Sequence, residues 1–220
     1  MVVFDGLTGN RLADFFGIDD TAFRGGARAT MTDLNGDGTN DLVVAAGIGG
    51  GPRIAIYDGK TVNIATTRPT SLAADFFAFE PALRNGAFVA GGDFNGDGFG
   101  DLAFGAGPGG GPRIRVINGE LLVRASPFAN LDDLDPQVQF ANYFAGNIEG
   151  RGGIRVTARD LDADNRADLV VGDGPSTDVF ANATSKATAY TGTEILTRVN
   201  PAILWEHEQA LGFGGGVFVG

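Results

Sequence analysis

An all-β fold of stacked four-stranded sheets is predicted: a partial β-propeller of about three complete blades, with incomplete strands at both ends. Three observations carry it. An acidic loop recurs three times along the 220 residues, each time running straight into an apolar strand. Gly-rich turns and further short strands follow each loop, giving a repeat of about sixty residues built of four strands. Apolar runs such as Leu42-Val43-Val44-Ala45-Ala46 do not alternate with polar residues, as suits strands covered on both faces.

The loops come first because they carry the chemistry. They are Asp33-Leu34-Asn35-Gly36-Asp37-Gly38-Thr39-Asn40-Asp41, Asp93-Phe94-Asn95-Gly96-Asp97-Gly98-Phe99-Gly100-Asp101 and Asp160-Leu161-Asp162-Ala163-Asp164-Asn165-Arg166-Ala167-Asp168. Oxygen side chains at positions 1, 3, 5 and 9, with the backbone carbonyl of position 7, curl around one point. Calcium takes six to eight such oxygens at about 2.3–2.6 Å in a flexible shell. The expected ligands are Asp33, Asn35, Asp37, Asp41 and the Thr39 carbonyl; Asp93, Asn95, Asp97, Asp101 and the Phe99 carbonyl; and Asp160, Asp162, Asp164, Asp168 and the Arg166 carbonyl. Gly at position 6 permits a left-handed backbone, and Asn165, which replaces it in the third loop, is the next best tolerated residue there. An EF-hand is excluded, since position 12 is Val44, Phe104 and Val171 where that motif needs Glu between two helices. Four carboxylates in the third loop, against three plus Asn in the others, predict the tightest site of the three there.

The remaining elements follow in order. Gly25-Gly26, Asn85-Gly86 and Gly152-Gly153 precede each first Asp by a constant interval. Strands are expected at Asp41 to Ala46, Asp101 to Ala106 and Asp168 to Gly172, then at Arg53 to Tyr57, Arg113 to Ile117 and Ala187 to Tyr190. The Gly-rich segments ending in Pro52 and Pro112 turn the chain between them. Asp58-Gly59 and Asn118-Gly119 read as hairpin turns. Phe15-Phe16, Phe76-Phe77 and Tyr143-Phe144 close the units. The units divide as 1–22, the end of one blade; 23–82, 83–149 and 150–212, three blades; and 213–220, the start of another. On this alignment Met1 to Phe4 is a third strand and Val217 to Gly220 a first strand. The open blade edges are an expected route to self-association.

These residues resemble the FG-GAP repeat of integrin α-like and VCBS-type propellers. Phe23-Arg24-Gly25-Gly26, through Asp41-Leu42-Val43-Val44-Ala45-Ala46-Gly47, to Tyr57 follows that family's pattern. The resemblance implies that each loop joins the first two strands of a blade and holds calcium. The third copy departs after Gly172-Asp173-Gly174-Pro175, where a longer polar stretch runs to Lys186. That stretch is read either as the recognition loop, because loops free of structural duty carry binding function, or as a neutral insertion.

Net charge is −11, and the loops hold ten of the 27 acidic residues. Three bound Ca2+ ions would bring the chain to about −5, so the acidity is largely ion-binding equipment and nucleic acid is not an expected partner. The absence of cysteine excludes a disulfide scaffold and thiol chemistry. No signal peptide or membrane-spanning run is present in the sequence. Gly107, Gly109 and Gly111 suggest a nucleotide loop, but Pro112 and a strand follow where phosphate cradling needs a helix. His207 lacks a second histidine to make a metal site, Trp205 takes roughly the place of the aromatic pair and is expected in the core, and Asn182-Ala183-Thr184 is a glycosylation sequon. The expected function is non-catalytic: a calcium-binding adhesion or recognition module of a secreted or cell-surface protein, engaging an extracellular protein or glycan. A lectin-like propeller and an accessory propeller of a larger secreted enzyme are the alternatives.

Overall fold

The computed structural model describes residues 1–62, 68–127, 131–133, 135–146, 148–175, 185–196, 201–208 and 215–220. Most of the stretch from Pro175 to Lys186, with the sequon at 182–184, lies outside them.

Within a sheet each strand pairs with its neighbour in sequence, and in the four-stranded sheets the connection between the third and fourth strands carries a helix. β1 (Val2–Phe4) and β2 (Arg11–Asp14) form a two-stranded hairpin. Three four-stranded antiparallel meanders follow. The first holds β3 (Ala27–Thr32), β4 (Asp41–Ala46), β5 (Arg53–Tyr57) and β6 (Ser71–Phe77). The second holds β7 (Ala87–Gly92), β8 (Asp101–Ala106), β9 (Arg113–Ile117) and β10 (Gln139–Phe144). The third holds β11 (Ile154–Arg159), β12 (Asp168–Asp173), β13 (Lys186–Tyr190) and β14 (Ile203–Glu208). Among the described residues no helix is long and apolar enough to cross a membrane.

The sheets stack face to face in chain order. One core, with Leu34, Ile54, Phe76, Phe79, Leu102, Phe104 and Leu122, joins the first sheet to the second. Another, with Phe94, Ile114, Tyr143, Ile154, Leu169 and Tyr190, joins the second to the third. The hairpin covers the outer face of the first sheet through Phe15, Tyr57 and Val62. β4, β8 and β12 are buried along nearly their whole length, which explains their unbroken apolar runs. Phe76 meets Phe104 edge to face at 6.2 Å, and Tyr143 meets Tyr190 at 5.7 Å. The first strands β3, β7 and β11 lie side by side.

Two sequence expectations are corrected. Asp58-Gly59 and Asn118-Gly119 do not make hairpin turns. They open helices α1 (Gly59–Val62) and α2 (Gly119–Ala125), and Thr191-Gly192 opens α3 (Gly192–Ile195) in the third unit. The reason is capping: the side chains of Asn118 and Thr191 accept from the Leu121 and Glu194 amides, and Val62, Leu122 and Ile195 are buried below. Trp205 does not hold the place of the aromatic pair. Arg53 and Ile54 face Phe77 and Phe76, Arg113 and Ile114 face Phe144 and Tyr143, but Lys186 and Ala187 face Glu208 and His207. Trp205 stands two residues earlier, opposite Ala189, and is 40% exposed because nothing among the described residues packs on β14.

Candidate metal sites

Each acidic loop joins the first and second strands of its sheet, and its carboxylates fold the loop before any ion is considered. In the first loop Asp33 accepts from the Gly36, Asp37 and Gly38 amides at 2.9, 3.1 and 2.8 Å. In the second loop Asp93 accepts from Gly96, Asp97 and Gly98 at 2.6, 3.2 and 2.9 Å. In the third Asp160 accepts from Ala163 and Asn165 at 2.7 and 3.1 Å. Asn35, Asn95 and Asp162 each accept from the amide of position 5, and Asp37, Asp97 and Asp164 from that of position 7. These bonds set the backbone of each loop around its leading carboxylate, and among the described acidic residues only Asp160, Asp162 and Asp168 of the third loop bring carboxylate oxygens together, without Asp164.

Position 9 does something else. Asp41, Asp101 and Asp168 are fully buried at the start of the second strand. One oxygen of each accepts from the amide of position 2, Leu34, Phe94 or Leu161, at 3.0, 2.9 and 2.7 Å. The other accepts from Gly59, Gly119 or Gly192, the first residue of the helix after the third strand, at 2.9, 3.0 and 2.9 Å. These three carboxylates thus tie loop, strand and helix together. Burial raises the Asp41 carboxyl above its ordinary range, and it raises Asp101 from 3.8 to about 7 against the pull of its two amide donors, with Asp97 and Asp93 adding negative charge. Desolvation, then Asp164, Asp168 and Asp160, raises Asp162 as well.

A buried carboxylate held above its ordinary range beside further carboxylates suits a cation, which would restore its charge. Oxygens of Asp160, Asp162 and Asp168 lie within 4.8 Å of one another. Among the described residues no hydrogen bond reaches the carbonyl oxygens of Thr39, Phe99 or Arg166. All-oxygen donors of this kind fit a hard divalent cation. The loops differ in detail. Asp37 bonds the Asn35 amide at 3.1 Å and pairs with Lys60 at 3.1 Å, and Asp97 bonds the Asn95 amide at 2.7 Å. In the third loop Ala163 (φ 65°) and Asn165 (φ 66°) occupy the left-handed region that Gly36, Gly38, Gly96 and Gly98 occupy elsewhere.

Sequence reasoning missed Lys60, Gly192 and the apolar residue at position 2 of each loop. Lys60 follows Gly59 directly and leaves no spacing signal. Gly192 was concealed because Thr191 is not a hairpin residue, although Tyr190-Thr191-Gly192 repeats Tyr57-Asp58-Gly59. Leu34 and Phe94 are buried completely between sheets, whereas Leu161, on which no further sheet packs among the described residues, is 43% exposed. An apolar residue at position 2 of all three loops was the available sign.

A family model describing an FG-GAP-like repeat matches residues 33–104, which contain both of the first two loops. No curated protein is a significant match. Among solved structures, rhamnogalacturonan lyase YesW is similar at 13% identity and a TM-score of 0.45, over 82% of this chain and 34% of that one. The exotype rhamnogalacturonan lyase YesX is similar at 14% identity and a TM-score of 0.46, over 82% and 32%. The match therefore spans about a third of the length of those two structures.

Proposed function

From a chain that carries FG-GAP-type repeats, we propose a non-catalytic calcium-binding recognition or adhesion module of a secreted or cell-surface protein. Its sheets are the blades of a partial propeller, and an extracellular protein or glycan is its ligand. The observation that carries the reading is the threefold recurrence of one loop geometry, each copy ending on a fully buried Asp that bonds two amides. In the third loop the oxygens of Asp160, Asp162 and Asp168 also lie within 4.8 Å of one another, as suits carboxylates that share a cation. When bound, the divalent ion offsets part of the charge of the loop carboxylates and cross-links them. The propeller reading is supported by three antiparallel meanders stacked face to face with their first strands side by side.

Melting in calcium and in chelator tests this. At about 1 mM calcium and a Kd of about 10⁻⁴ M, each site stabilises the fold by roughly 1.4 kcal/mol, and three give on the order of 4 kcal/mol. Chelation then lowers Tm clearly, and magnesium restores it poorly because it demands a stricter octahedron. A melting curve unchanged in excess chelator would overturn the reading.

A further inference from the structure

We infer that the three cation sites are coupled in series, each to its neighbour in the chain, so that filling one loop raises the affinity of the next. This rests on the calcium reading above and adds to it a prediction about how the sites fill.

The link is a backbone hydrogen bond between loops. The Gly100 amide of the second loop donates to the Asp33 carbonyl of the first at 2.6 Å, and the Ala167 amide of the third donates to the Asp93 carbonyl of the second at 2.7 Å. Both donors stand at position 8 and both acceptors at position 1. The peptide unit that carries the Gly100 amide also carries the Phe99 carbonyl, and that of Ala167 carries the Arg166 carbonyl, the oxygens assigned to their own loops. A peptide polarised at its oxygen is a stronger donor at its nitrogen. Charge on one loop is therefore felt at the first ligand residue of the loop before it.

A second thread runs beside the first. The Phe99 ring covers Gly36, where a Cβ would run into it, and Arg166 lies over Gly96, where a Cβ would stand 3.1 Å from Nε. Leu34 packs against Gly119, whose amide holds Asp101, and the Phe94 carbonyl sits 2.8 Å from where a Cβ of Gly192 would be, the residue whose amide holds Asp168. Ordering one loop thus fixes position 2, and position 2 supports the glycine that orients the neighbour's buried Asp. Among the described residues nothing joins the first loop to the third directly. The coupling is between nearest neighbours.

The test is a calcium chloride titration of the whole chain followed by NMR at the Gly38, Gly98 and Asn165 amides. Each donates to the leading Asp of its own loop, at 2.8, 2.9 and 3.1 Å, so each reports one site. In the unaltered protein the three resonances should move together, more steeply than a one-site isotherm. Asp97→Ala empties the second loop; Gly38 and Asn165 should then titrate as single sites, about three- to tenfold weaker. Asp37→Ala empties the first loop. By reciprocity of equilibrium coupling it should weaken the second loop by the same factor that Asp97→Ala weakens the first, and it should reach the third only through the second. Strand amides that stay in place in each metal-free variant show that the fold is kept, and either variant alone suffices if the other fails to fold. Unchanged affinities at the neighbouring loops would overturn the coupling while leaving calcium binding intact. No movement of any of the three resonances in the unaltered protein would overturn the calcium reading itself.

Discussion

Calcium binding at the second loop should be strongly pH-dependent near neutrality, and Asp101 sets the scale. Its carboxyl is raised by burial from 3.8 to about 7. At pH 6 the metal-free loop is then about ten parts protonated to one ionised, whereas at pH 8 the ratio is inverted. A cation needs the ionised form, so affinity at this loop should fall about tenfold from pH 8 to pH 6. At pH 7 loading should release about half a proton from Asp101. The stability of the metal-free chain moves the opposite way. A carboxyl raised in the folded state favours folding at low pH, and that contribution is lost as pH rises through about 7, by up to on the order of 4 kcal/mol. Metal-free protein should therefore melt lower at pH 8 than at pH 5, and calcium should erase or reverse the difference. Calorimetry in two buffers of different ionisation heat counts the protons, and melting at each pH reads the stability. Affinity independent of pH, with no buffer-dependent heat, would refute the assignment of Asp101 as a ligand-side carboxylate.

Lys60→Ala removes the cation paired with Asp37 at 3.1 Å, and it should raise calcium affinity at the first loop about two- to fivefold with the other loops changed less; an unchanged Gly38 titration would count against it. Ala163→Gly relieves a left-handed alanine. Set against the entropy that glycine adds to the unfolded chain, it should stabilise the metal-free protein by about 0.5–1 kcal/mol, a few degrees in Tm. A drop in Tm would show the strain to be absent. Gly119→Ala drives a Cβ into the Gly100 carbonyl and Leu34, groups that cannot move without shifting two loops, and should cost about 2 kcal/mol or more; a wild-type melting curve would refute that close approach.

What the sequence disclosed depended on how far each feature's signal extends. The strands Arg53–Tyr57 and Arg113–Ile117 were read to their end residues because an apolar run bounded by Pro and by Asp-Gly or Asn-Gly has no other reading. The loops were legible because their oxygens alternate. The helices were not. A helix of four residues such as Gly59–Val62 has no period to detect, and its opening dipeptide is also the commonest hairpin signal. Position 9 was read as one more ligand, whereas Asp41, Asp101 and Asp168 also bond two amides each, one of them from beyond the next strand. That duty depends on a contact across the sheet, which spacing along the chain does not encode. Trp205 is the aromatic residue nearest the expected place, but the ladder puts His207 and Glu208 there, opposite Ala187 and Lys186, and the length of chain between the strands, which spacing along the sequence does not fix, decides that register.

The glycines where one sheet meets the next determine how the array can vary. Gly86 and Gly153, both left-handed, bring their backbone against Ala46-Gly47 and Ala106-Gly107 of the preceding sheet, and Gly216 meets Gly174-Pro175 in the same manner. At the opposite end of these strands Gly91 meets Thr32 and Gly92 meets Ala167 and Ala158. Spacing between neighbouring sheets is thereby gauged at both ends by main chain and the smallest side chains, and not by the bulk of what lies between. The interior is released from that task, so one junction can fill with Phe76, Phe79 and Phe104 and the next with Tyr143, Val171 and Tyr190. Repeats of this construction can diverge inside while still fitting one another, and the residues that resist change should be the glycines at the rims.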